Sequence, residues 1–179
     1  MSLLSALPLA MAAVALYVGF WHWRVFARGE HEREQLFFAL LCLGIALYDV
    51  GAAGSYARGA LGAAALWQRL QNIAIGVVGP ALVWFVGAYT RRGSRRVAWA
   101  LTAYYAFHVA ALLTVWNSWT LSATPHVTAV SLPWGGSVVY EELQHGPLLR
   151  LSSLVHGLGI LVPLVWAARY LAQAEGAER

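Results

Sequence analysis

The chain has 179 residues, 60% of them hydrophobic and 11% charged, with a formal net charge of +4. Soluble domains carry about 25% charged residues, so too few polar side chains are present to cover a water-facing surface. Disorder, which needs low hydrophobicity and high charge, is excluded by the same numbers. All 12 basic residues are arginine, which removes retinal or any other lysine Schiff base. The single cysteine, Cys42, removes an intrachain disulfide and any cysteine-only metal centre held by this chain alone.

A helix needs about 20 mostly apolar residues to cross the hydrocarbon core, and five stretches qualify. The first runs from about Leu3 to Trp23 and carries no charge before Arg24. It is too long for the apolar part of a signal peptide, and no small-residue cleavage site follows it. The second, from about Leu36 to Ala57, is interrupted only by Asp49. The third, from about Trp67 to Thr90, is free of charge after Arg69. The fourth covers about Val97 to Asn117, and the fifth about Leu148 to Tyr170. Pro80 and Pro163 inside the third and fifth are expected to kink them. The glycines at 51, 54, 76, 79, 157 and 159 are expected to let helix backbones approach closely.

Between the fourth and fifth spans lies the only long connection. His126–Leu132 and Ser137–Leu143 are β-branched runs flanking Pro133-Trp-Gly-Gly136, a pattern that predicts a β-hairpin over about 126–143. The fold class is therefore an all-α integral membrane protein. It is one five-helix domain over residues 1–179, with a hairpin between helices 4 and 5.

Arginine placement predicts orientation, because cytoplasmic loops collect Lys and Arg near membrane spans. With the N-terminus outside, the inner segments hold Arg24, Arg28, Arg33, Arg91, Arg92, Arg95, Arg96, Arg169 and Arg179. The outer segments then hold only Arg58, Arg69 and Arg150. The chain is expected to finish in the cytoplasm, with the hairpin outside. Topology accounts for the basic loop Thr90–Arg96, and no nucleic-acid partner is expected.

Ionisable groups at membrane depth are costly and mark candidate sites. Counting helical rise puts Asp49, Arg69, Asn72, Asn117 and His156 towards the outer half, with His108 near mid-membrane. These six residues are the candidate ligand-binding set, and all but His108 are expected to form the floor of a site beneath the hairpin. A packing reading stands beside it. Asp49 and Arg69 then form a buried ion pair, His108 and His156 are hydrogen-bonded packing residues, and Trp67, Trp116 and Trp119 form an interfacial belt. The two histidines also raise haem, but the depth count sets them several residues apart, so no cofactor and no metal is expected. His31-Glu-Arg-Glu-Gln35 begins like a zinc-protease motif but ends in Gln. No phosphate loop or nucleophile motif accompanies it, and no enzyme activity is expected.

Several stretches resemble the N-terminal seven-transmembrane sensor region of bacterial histidine kinases and related signalling proteins. They are Phe37–Tyr48, Trp67-Gln-Arg-Leu-Gln-Asn72, Gly79–Phe85 with Tyr89-Thr90, Thr114-Val-Trp-Asn117, and His145-Gly-Pro-Leu148. The resemblance implies a sensory input module in a bacterial inner membrane that passes a signal to a cytoplasmic output domain. Such regions have seven spans and five are legible here, so the chain is expected to be a fragment, a shortened relative or a five-helix subunit of something else. A non-catalytic subunit of a respiratory, photosynthetic or other complex stays open as the alternative, as does a haem- or quinone-binding oxidoreductase. The expected partners are the lipid bilayer and an output domain or other membrane subunits. Homo-oligomerisation stays open.

Overall fold

A computed structural model describes residues 3–30, 32–57, 63–115, 119–131, 135 and 137–177. Five helices follow in order: α1 Leu3–Val25, α2 Arg33–Ser55, α3 Ala64–Thr90, α4 Arg95–Thr114 and α5 Pro147–Ala177. Each is long and apolar enough to cross a membrane. A π-helical turn over Phe26–Glu30 ends α1, and Gly29, at φ 98°, breaks the helical path there. A side chain would be strained in that left-handed conformation.

The central helix is α3, which packs against α2, α4 and α5, while α1 packs chiefly on α2. Small residues make these contacts, as expected where no hydrophobic driving force separates helix from lipid. The buried residues of α2 are Ala39, Cys42, Gly44, Ala46, Gly51 and Ala53, with Asp49 the one charged residue among them. The glycines act as sockets for side chains more than as backbone crossings. Gly54 faces the Trp67 ring, Gly76 faces Val109, and Gly79 and Gly159 both receive Tyr105. Gly157 faces open space.

Outward-facing surfaces are apolar. Leu7, Val14 and Tyr17 of α1 and Leu151, Leu154 and Leu164 of α5 are all largely exposed. A water-soluble monomer rarely shows contiguous apolar surface on this scale; lipid is its natural solvent.

β1 (Leu121–Ser131) and β2 (Ser137–His145) form a two-stranded antiparallel sheet. Register runs from Ser131↔Ser137 to Pro125↔Leu143, with an irregularity between Leu121 and Pro125. The sheet adjoins the end of the bundle where α3 begins and α4 finishes. There Leu121 and Leu143 are buried with Ala64, Leu112 and Leu149. A second core, built on Val83, Ala98, Leu101, Tyr105 and Trp166, fills the opposite half, towards the arginine-rich α3–α4 turn. Within that turn, Arg91 caps α3 in the left-handed region at φ 55°.

Candidate functional site

The candidate residues fall into three groups. In the first, Arg69 projects from the second turn of α3 towards the end of α4. Its guanidinium donates to the carbonyls of Leu112 and Val115 and to the Thr120 hydroxyl. Thr120 Oγ1 in turn donates to Val115 O at 3.0 Å. The last carbonyls of a helix have no partner within it, and a cation there also meets the negative end of the helix dipole. Arg69 therefore joins α3 to the C-terminus of α4 and to the strand that follows.

Asp49 does not pair with Arg69. Its side chain is buried, and Oδ2 has no hydrogen-bond partner. The reason is rotation about the helix, which depth alone does not reveal. Asp49 shares the 3- and 4-residue spacing of Ala39, Cys42, Ala46 and Ala53, and Ala39 and Cys42 of that stripe meet Gly19 of α1. Asp49 thus lies on the face of α2 that carries α1, whereas Gly44 and Gly51 face α3.

The second group is a cluster of four rings. His108 of α4 and His156 of α5 sit edge to face, with centroids 4.8 Å apart. His156 stacks on Tyr105 at 5.3 Å, and Tyr104 lies within 6.5 Å of both imidazoles. The Tyr104 hydroxyl donates to Ser152 O at 3.1 Å. Nε2 of each histidine is buried without a hydrogen-bond partner. The expected depth difference between the two is absent, since the rings meet directly. Leu148 N donates to Trp119 O and Gly146 N to Thr120 O, so α5 begins level with residues well past the end of α4. A haem does not fit between these histidines, since rings in direct contact leave no room for a macrocycle. Asn72 turns its amide back to its own helix, donating to Gln68 O at 2.8 Å.

The third group escaped the sequence reading. Gln68 accepts from Leu143 N at 2.8 Å through Oε1 and donates to Leu143 O at 3.5 Å through Nε2. One side-chain amide thus engages both main-chain groups of a β2 residue, fixing the sheet to α3. An uncharged glutamine between Trp67 and Arg69 gives no composition or charge signal. Asn117, Trp116 and all of the Pro133–Gly136 turn except Gly135 lie outside the described residues.

Five membrane-length helices, a small sheet seated on one end and a polar set beneath it define a multi-pass helical membrane protein. Over residues 7–179 the chain matches the N-terminal 7TM region of histidine kinases, and it belongs to that family. No curated protein and no solved structure matches it. Membership makes the chain a membrane sensory input region of bacterial two-component signalling.

Proposed function

We propose that residues 1–179 act as one non-catalytic membrane domain of a bacterial inner membrane. Its hairpin end detects an extracytoplasmic or membrane-borne signal, and α5 carries the change to a cytoplasmic output domain. The observation that carries this reading is the Gln68 contact. It ties the sheet to the central helix α3, while the main chain at Gly146 ties it to α5 and Tyr140 of β2 meets Tyr56 at the end of α2. A ligand or membrane change that shifts the sheet must then shift α3 and α5 relative to each other.

Arg69, Asn72, His108 and His156, with Asn117, form the signal-responsive part of this end; Asp49 stands apart on the α1 side. What supports the histidines is their pair of buried, unpartnered Nε2 atoms. A buried polar atom without a partner forfeits about 1–3 kcal/mol, so a small polar ligand reaching them recovers that energy. The arginine split supports an external hairpin and a cytoplasmic α3–α4 turn.

Cysteine accessibility in intact cells tests the orientation on which the reading depends. Ser137→Cys should react with a membrane-impermeant maleimide from outside, and Ser94→Cys only after the membrane is opened. The reverse pattern overturns the proposal.

A further inference from the structure

At the arginine end, two cavities meet. A polar chamber of about 520 Å³ lies between the start of α2, the end of α3 and the start of α4. An apolar groove of about 830 Å³ runs from it along α3, floored by Gly76, Val77, Pro80 and Ala81 and edged by Leu40 and Trp99. Arg33, Phe37, Trp84 and Arg95 line both. The walls are preformed: Trp84 donates to Thr102 Oγ1 at 2.9 Å, stacks on Phe37 at 5.5 Å and meets Trp99 edge to face at 5.3 Å.

The charges at the junction run against helix electrostatics. Arg33 and Arg95 are the first residues of α2 and α4. Cations at the positive end of a helix dipole are unfavourable, and anions there are favoured. Neither N-cap side chain makes a capping hydrogen bond, and α4 has no acidic residue in its first turn. Among the described residues, the groove's own charged side chains are Arg33 and Arg95, and the chamber adds Arg91 with Glu32 and Glu34, a net positive set. Topology asks for arginines at this end, but not for two of them at the mouth of one groove.

We propose that this paired cavity is a binding site for an anionic membrane lipid. The headgroup phosphate sits between Arg33 and Arg95 at the two helix N-termini, and an acyl chain lies along α3 in the groove. Shape favours a lipid: the groove continues from the polar chamber along the apolar residues of α3. A polar chamber opening into an apolar trough also matches an amphiphile and not a free anion.

The full chain, reconstituted in phosphatidylcholine nanodiscs, gives the test. Phosphatidylglycerol with brominated acyl chains is added at increasing mole fraction, with brominated phosphatidylcholine as the comparison, and tryptophan quenching is read. Two basic side chains near a bilayer surface predict half-quenching at a mole fraction about 10- to 30-fold lower for the anionic lipid. Arg33→Gln/Arg95→Gln should abolish that preference, and Trp84→Phe/Trp99→Phe should remove the saturable quench. Both arginines are exposed, and far-ultraviolet circular dichroism checks that the variants fold. Equal curves for the two lipids in the unsubstituted protein mean bulk lipid only and overturn the proposal. A preference that survives the arginine substitutions overturns it as well, and so does the absence of saturable quenching, the result if a second copy or another helix fills the groove.

Discussion

Removing Arg69 and Asp49, singly and together, separates the two roles an intramembrane charge can play. Arg69 donates charge-assisted hydrogen bonds to Leu112 O, Val115 O and Thr120 Oγ1. Hydrogen bonds to a charged group contribute about 1.5–3 kcal/mol net. Val115 O keeps the Thr120 hydroxyl when Arg69 is gone, so the loss falls mainly on Leu112 O and on the link to Thr120. Arg69→Met should therefore cost about 3 kcal/mol. Asp49 has a buried carboxylate oxygen with no partner, so Asp49→Asn should change stability by less than about 1 kcal/mol or raise it. A buried ion pair gives the opposite pattern, with about 3–5 kcal/mol lost on breaking it from either side and near neutrality when both partners go. The assay is reversible unfolding in mixed micelles, followed by circular dichroism, for the two single variants and the double variant. Sites without shared partners add to within about 0.5 kcal/mol. A coupling energy above about 2 kcal/mol refutes the reasoning.

Three further outcomes follow from the packing. Gly79→Ala and Gly159→Ala each drive a methyl group into Tyr105, which is 2% exposed; each should cost about 1–3 kcal/mol in the same unfolding assay. Gly157→Ala meets nothing within 4 Å and should be neutral or gain up to about 1 kcal/mol from helix propensity, so equal losses at all three positions would contradict the socket geometry. His156→Phe keeps a ring against Tyr105 and deletes a buried nitrogen without a partner. Its thermal midpoint should hold or rise, and a loss above about 2 kcal/mol would mean that the nitrogen is bonded after all. Gln68→Ala should raise hydrogen exchange at the Leu143 amide at least tenfold, since that amide donates to Gln68; unchanged exchange would show that the sheet is held by other contacts.

The spans were legible because a run of apolar residues long enough to cross a membrane needs no periodicity to be recognised. Their ends were less so. α5 continues to Ala177, since Ala, Gln and Glu beyond Tyr170 are good helix formers once the hydrocarbon is left behind. Both strands begin or end further out than the β-branched runs, because Pro125 is tolerated where its missing N–H faces an open sheet edge. Rotation about the helix was not legible at the candidate site. Helical rise set Asp49 and Arg69 near one level, yet Asp49 lies on the stripe facing α1. For His108 and His156 even depth failed: Trp119 and Thr120, just before β1, receive the first turn of α5, and the register this sets between α4 and α5 brings the two rings together. Gln68 carried no charge to draw attention, though its side chain bonds both main-chain groups of Leu143.

The central claim is that a disturbance at the sheet travels to the other end of the bundle through α3 and α5. Spin labels at Ser94, the N-cap of α4, and at Leu171, on the exposed surface near the end of α5, read that end while Gln68→Ala disturbs the sheet. Double electron–electron resonance in lipid nanodiscs should give a distance distribution for the Gln68→Ala protein whose peak or width differs from that of the unsubstituted protein. Identical distributions, with the exchange at Leu143 raised, would show that the sheet moves without the helices following, and would contradict the account.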